Sequence, residues 1–596
     1  MALLVGPVFT REMVIAPRRK RLYVARTCYV AVLAVLAGTA WLVLTGTQSI
    51  NDVGDLARFG TTLIQLLAPL QLALAMFFSA MLAASAVAQE KDRRTLVLLL
   101  LSNLSNSELV LGKLLASLLS VLVMLAAALP LFMLAALLGG VSFGQIGRVF
   151  GVTLASVLVC GSLGSTLALW REKTFQALAM TVLVLVLWLA AWEVVATGTF
   201  GESFAGLSCG DWAIAASPWQ AVMEATQPYV QEDPALGPLG TPVHLFLVMA
   251  SGASILLVGV AVVMVRRWNS AVETRIGKAA QQPAEQPAGE TAERPTKIVI
   301  GRSRRVWDNP IIWREMRTWA YGRKIMVVRL IYLLLFGLAA GSLYHTIAGG
   351  ALPSGQQPAA TSVAMALIPL MLLSLVLVNA QAVTSMTSER DGRALDLLLV
   401  TDLTPKEIVF GKLGGVFYNA KEMVVLPMLL CIYLHVAGWL GLENLLYLLG
   451  GLAVLFVFVA MLGVHAGMTY GNSQAAIITS LGTVFFLFVG VAVCMRMMMA
   501  FSGSFQAQLP LFLAFMLGGA GLYVALGVRN PSTAIGIASF LCPLATFYAI
   551  TGYMLDYTLA VFLVTFAAYG FTTAAMLVPA IYEFDVATGR TTIHEE

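Results

Sequence analysis

The chain has 596 residues, of which 59% are Ala, Val, Ile, Leu, Met, Phe, Trp, Tyr or Cys and only 11% are charged. An ordinary soluble domain carries about 25% charged residues, so a soluble single-core protein is excluded, as is a disordered chain, which needs low hydrophobicity and high net charge. The mean hydropathy of +0.86 places most of the chain in lipid, and a net charge of +5 gives no dense basic face for nucleic acid.

A membrane helix takes about 20 apolar residues. Apolar runs predict spans at about 24–45, 61–88, 110–138, 148–169, 175–197 and 243–265 in the first half. The loop 198–242 between the last two carries Glu202, Asp211, Glu224, Glu232 and Asp233 and no Lys or Arg. Residues 266–308, rich in Pro, Gln, Glu and Ala from Gln281 to Pro295, read as a flexible linker that buries no core. The second half gives runs at about 326–347, 362–387, 409–437, 444–469, 475–495, 509–527, 534–553 and 558–580. Gly518, Gly519, Gly521 and Pro543 leave 509–527 and 534–553 open to a re-entrant or interfacial reading. The expected fold is an all-α polytopic membrane protein of about 12–14 spans. Its organisation is a first membrane module at 1–265, the linker at 266–308 and a second module at 309–596.

Cytoplasmic loops hold the positive charge. Arg18-Arg19-Lys20-Arg21, then Lys91, Arg93 and Arg94, then Arg171 and Lys173, then Arg266 and Arg267 fall on alternate loops. One orientation fits them: N-terminus inside, 198–242 outside. The first apolar run is too long for a secretory signal core and reads as a retained anchor. The six cysteines show no CxxC spacing and read as packing residues.

The chain contains a repeat. Pro7 to Tyr29 lies on Pro310 to Tyr332 without gaps, matching Pro7, Arg11, Glu12, Met13, Val24, Arg26 and Tyr29. Gln89 to Leu114 lies on Ser388 to Leu413 with 13 of 26 identical, among them Glu90/Glu389, Asp92/Asp391, Arg94/Arg393, Leu96/Leu395, Leu104/Leu403, Glu108/Glu407, Gly112/Gly411 and Lys113/Lys412. Each repeated segment is a charged island between spans two and three with an apolar middle, Leu96–Leu101 or Leu395–Val400. Ser105-Asn106-Ser107-Glu108 and Thr404-Pro405-Lys406-Glu407 are capping boxes, the second with Pro at the first helical position, so the third span starts there. The short apolar helix before each cap is either an interfacial helix lying on lipid or a docking helix for a cytoplasmic partner. The matched charge pattern in both halves favours docking, because lipid demands no fixed sequence.

On these residues each half resembles the membrane subunit of an ABC-2 type transporter. The family begins with an amphipathic helix bearing Arg-Glu, here Arg11-Glu12 and Arg314-Glu315, and has a charged loop ending in Glu-x-x-x-Gly-Lys, here Glu90 to Lys113 and Glu389 to Lys412. The first loop departs from the pattern with Arg93 where Gly is common; the second has Ala394 where Thr is common. The resemblance covers about 5–265 and 308–470 and fades toward the C-terminus. It implies two half-permeases fused in one chain and a bacterial inner-membrane location with a cytoplasmic N-terminus. It also implies coupling through loops 89–109 and 388–408 to separate ATPase subunits, two of them, which hold the ATP and Mg. Export is the expected direction. The second half has about two spans more than the family module.

This chain is expected to bind no cofactor and to have no catalytic residue. Lys113, Lys278 and Lys412 follow Gly, but Leu or Ala stands next, where a phosphate loop needs a hydroxyl. The five histidines show no metal-ligand spacing. Polar residues inside spans are costly and are candidates for a pathway. Gln65, Gln71, Asn379 and Gln381 lie on second spans, which in the resembled family face the partner module; they read as helix–helix ties or as a polar wall. Lys421 and Glu422 line a cavity if 409–437 is buried throughout, and are interfacial if the span begins at about 423; the second reading is preferred. Glu193 falls at an outer end. An ion-coupled carrier of the 12–14-span class is the alternative, and it needs a membrane carboxylate such as Glu422.

Overall fold

In the computed structural model the described residues run from 7 to 585 apart from 8, 12, 15–19, 48–52, 94, 172–173, 197–202, 205–206, 229–239, 281–308, 318–324, 349–356, 393, 399, 493–517, 528–530 and 555–556. Helices form where the apolar runs predict them, because a backbone in lipid must satisfy its own hydrogen bonds. The first half comprises α1 (Lys20–Thr47), α2 (Val53–Asp92), the short α3 (Thr95–Leu101), α4 (Asn106–Leu137), α5 (Phe143–Trp170), α6 (Thr174–Ala196) and α9 (Pro242–Ala280). Between α6 and α9 lie a hairpin of two-residue strands, β1 (Ser203–Phe204) and β2 (Leu207–Ser208), and two short helices, α7 (Cys209–Ala216) and α8 (Pro218–Ala225).

The second half follows with α10 (Pro310–Arg317), α11 (Ile325–Ala348), α12 (Gln357–Asp391), the short α13 (Ala394–Leu398), α14 (Pro405–Asn419), α15 (Lys421–Val436), α16 (Leu442–Thr469) and α17 (Ser473–Phe485). After it come a helix α18 at 518–526, then α19 (Thr533–Met554) and α20 (Thr558–Tyr582). Eleven of the described helices are long and apolar enough to cross a membrane, twelve if the pair α14–α15 is one span. The protein is an all-α polytopic membrane protein.

The caps are those the sequence predicts. Ser105 and Thr404 each accept from the backbone N–H of Glu108 and Glu407, and each glutamate accepts in return from the cap's backbone N–H (2.9 and 2.8 Å). In both halves the fourth span lies on the second through a glycine. A Cβ on Gly164 of α5 would stand 2.7 Å from the carbonyl O of Ala80, and one on Gly463 of α16 would stand 2.8 Å from that of Asn379. These carbonyls are 299 residues apart, as are the two glycines, which is the spacing of the repeat.

The third spans differ. In the first half α4 is one continuous helix. In the second the chain bends by 60° between α14 and α15 at Ala420, where one unbroken run 409–437 is expected from the sequence. The halves meet where α6 packs on α11 and α12 and where α17 packs on α2. There the rings of Phe77 and Phe485 stack with centroids 5.0 Å apart.

The extra spans sit away from that seam. Helices α19 and α20 pair with each other, and α20 packs on α16 and the start of α14. The end of α20 returns to the docking side, since Lys406 Nζ lies 5.7 Å from the Tyr582 ring centre. So does α18, whose final carbonyls bind Tyr470 Oη (from Ala525, 2.8 Å) and His465 Nε2 (from Leu526, 3.0 Å). Residues 509–517 of the predicted span 509–527 lie outside the described residues.

On the far face α7 and α8 cap the first half. Trp188 Nε1 donates to Ala216 O (2.9 Å), and Arg148 Nη2 donates to Gln227 O (3.1 Å). Burial, reinforced by Asp211 and opposed by Arg148, raises the Glu224 carboxyl above its usual range. A carboxyl raised on folding contributes stability below its unfolded pKa and loses it as pH rises through the folded value. Glu224→Gln is therefore expected to raise the melting temperature at neutral pH, with the gain vanishing below the carboxylate range. A melt series across pH checks this.

Candidate functional site: paired docking helices

Each docking helix stands between two capped ends. Helix α3 follows a turn at Asp92–Arg93, and Ser102 closes it by donating to Leu99 O (2.6 Å). The apolar run has no polar spacing that would mark its faces, and the packing divides it. Leu96, Val97 and Leu100 are buried, whereas Leu98 and Leu101 are 68% and 63% exposed. In α13 and its following turn Leu395 is buried, and Leu397 and Val400 are 73% and 86% exposed. Leu96 and Leu395, expected as contact residues, thus anchor the helices. The exposed apolar surfaces are Leu98 with Leu101 and Leu397 with Val400. A spacing of three puts each pair on one helical face, but Val97 and Leu100 share that spacing and are buried, so packing alone identifies the surface.

The charged residues of the repeat hold this platform together. Lys113 of α4 pairs with Glu90 at the end of α2. In the second half the same pair grows into a network. Lys412 Nζ lies 2.8 Å from Glu315 and 2.7 Å from Glu389, and Arg314 pairs with Glu389. The side chains of Lys412 and Glu315 are 2% and 6% exposed, so these charges survive only as partners. Two glycines let α10 come this close to α14. A Cβ on Gly411 would meet Ile311 at 2.7 Å, and one on Gly415 would meet the Glu315 side chain at 2.7 Å. In the first half Arg11 is exposed, and Glu12 and Arg94 lie outside the described residues, as does Arg393 in the second.

Two basic residues, not singled out from the sequence as site residues, tie each docking segment to the end of its fourth span. Lys91 Nζ donates to the carbonyls of Leu169 and Arg171, at the end of α5. Arg390, its equivalent, donates to the carbonyls of Gly467 (3.0 Å) and Tyr470 and to Ser473 Oγ (3.0 Å). A cation at a helix C-terminus meets unpaired carbonyls and the negative end of the dipole. These bonds tie the loops to the ends of α5 and α16. Arg266 of α9 holds the first loop from its other side, donating to Asn106 Oδ1 (2.8 Å) and Leu100 O (3.2 Å).

The polar residues of the spans are not brought together. Asn379 is buried and fully bonded inside the second half, to Val459 O (2.8 Å) and Ser480 Oγ (2.9 Å). Gln71 and Gln381 are buried, and their amides find no partner among the described residues; Gln65 is half-buried. Glu422 pairs with Arg329 at 3.3 Å, beside the bend at Ala420, and Lys421 is exposed with its ammonium 5.2 Å from the Tyr418 ring centre. Arg329 is one turn into α11, so Glu422 stands near the docking face. Glu193 is exposed and accepts from Gln220 Nε2 (2.9 Å).

Long apolar helices in two halves make this a multi-pass membrane protein. Residues 46–202 match the family described as ABC-2 family transporter protein. Over those residues the chain is similar to an ABC-2 type permease, and the helices of the second half are consistent with a second such module. No curated protein matches the chain.

Proposed function

We propose that the chain is the whole membrane part of an ATP-driven exporter, with modules at 1–265 and 309–596 joined by the segment 266–308, whose first part, expected to be flexible linker, continues helix α9 as far as Ala280. Loops 89–109 and 388–408 each receive one ATPase subunit, and those subunits hold the ATP and Mg. The docking face is cytoplasmic, which puts the N-terminus inside a bacterial inner membrane and the α7–α8 cap outside. ATP-driven closure of the two subunits moves the docking helices; Lys91 and Arg390 carry that motion to the ends of α5 and α16, and the modules shift about the seam of α2, α6, α12 and α17.

The observation that carries this reading is the pair of exposed apolar surfaces, Leu98–Leu101 and Leu397–Val400, held on buried charge networks on one face of the molecule. An interfacial helix needs no such platform. An ion-coupled carrier needs a carboxylate free to take its ion inside a span, and the pairing of Glu422 with Arg329 weighs against it.

Purification in mild detergent is expected to bring down a stoichiometric P-loop ATPase. Leu98→Asp with Leu397→Asp is expected to weaken that association at least a hundredfold, since central interface anchors are worth about 2 kcal/mol or more each and two linked contacts reinforce each other. Co-purification with mass spectrometry measures both. A chain that purifies alone under every detergent overturns the reading. Glu90 and Glu389 are unsuited to this test, because they pair with Lys113 and Lys412.

A further inference from the structure

We propose that Arg93 and Asp391 form a single ionic latch that holds the docking-side ends of the two modules together and opens whenever a path opens between them on that face. The inference rests on the permease reading for its purpose and on geometry alone for its existence.

The two residues are 298 apart in sequence and come from different modules, yet Arg93 Nη2 and Nε lie 3.3 and 3.4 Å from Asp391 Oδ1. Arg93 is the departure from the family pattern noted in the sequence; its equivalent in the second loop is Gly392. The contact is therefore one-sided. Asp92, the equivalent of Asp391, accepts from Thr174 Oγ1 in its own module. No glycine reaches across to it. A second tie runs along the same seam: Gln89 Nε2 donates to Asn472 Oδ1 (2.9 Å), and Asn472 caps α17. Deeper on α2, about 24 Å from Arg93 at 1.5 Å per residue, Phe77 stacks on Phe485. Ion pair, amide pair and ring pair thus line one seam from its rim inward.

The strength of the rim contact suits a latch. The Asp391 side chain is 5% exposed, but that of Arg93 is 45% exposed. A half-solvated pair shifts an equilibrium only modestly, at most about fivefold. It biases the seam toward closure without preventing its opening, and added salt weakens it.

The test is the rate at which Phe77→Cys, in a chain with its six natural cysteines replaced, reacts with a membrane-impermeant thiol reagent added from the docking face of inverted vesicles. That rate reports the open fraction of the seam. Arg93→Gln is expected to raise it by up to about fivefold. The exchanged pair Arg93→Asp with Asp391→Arg is expected to restore it, and raised salt to increase it in the intact chain but not in Arg93→Gln. A rate unchanged by Arg93→Gln, zero included, overturns the latch. So does a rate that the exchanged pair fails to restore while the chain elutes as a single folded species. The readout needs no ATPase, so a chain that binds none leaves the latch standing, and a failed latch leaves the docking reading to co-purification.

Discussion

Lys412→Met will destabilise the second module by about 3–5 kcal/mol, the usual effect of removing one partner from a buried ion pair. The change leaves Glu315 and Glu389 facing each other with only Arg314 to neutralise them. Glu315 cannot move into water, because α10 is pressed onto α14 at Gly411 and Gly415. The matching change Lys113→Met will cost less, since Glu90 is 34% exposed and can rehydrate. Lys412→Met combined with Glu315→Met should recover much of the loss, leaving Glu389 with Arg314. Thermal melts of the detergent-solubilised chain, read by size-exclusion elution, rank the three variants.

Gly463→Leu is the second large effect. A Cβ there would stand 2.6 Å from Ala382 Cβ and 2.8 Å from both Asn379 O and Val383 N, and two of those three atoms are backbone. Side chains rotate away from an intruder; the backbone of α12 cannot. Small residues at such positions let membrane helices approach closely, and overpacking typically costs about 1–3 kcal/mol and more where nothing yields. The expected result is at least about 3 kcal/mol and loss of the hydrogen bonds from Asn379 to α16 and α17. Gly164→Leu, against the Ala80 carbonyl, should act in the same direction in the first module. By contrast Gly482→Leu, with open space around its Cβ, should be tolerated. The same melts distinguish the three.

The spans were legible because length and apolarity decide them, and lipid leaves a backbone few alternatives. Predicted runs and observed helices agree within a few residues for most of the described chain, and both third-span starts were legible from Ser105 and Thr404 with their glutamates. The bend at Ala420 was not legible. No Gly or Pro stands at that position; the break is accompanied by tertiary contacts, with Arg329 donating to Asn419 O (3.4 Å) and pairing with Glu422. The outward faces of the docking helices were hidden for a different reason. A run such as Leu96–Leu101 has no alternation of polar and apolar residues, so only packing tells Leu98 from Leu100. Pairing of Lys113 with Glu90 and Lys412 with Glu389 lay within the repeat, but the repeat shows that these residues recur together, not that they touch. Arg93 was visible as an exception, and its partner in the other half was not.

The unequal third spans would make the two halves respond differently to the proposed drive. A thrust on the first loop would enter one helix of 32 residues, about 48 Å long. A thrust on the second would meet an elbow after the 15 residues of α14, and α15 beyond it would turn as a crank. On the proposed function, equal strokes from beneath would therefore emerge unequal above.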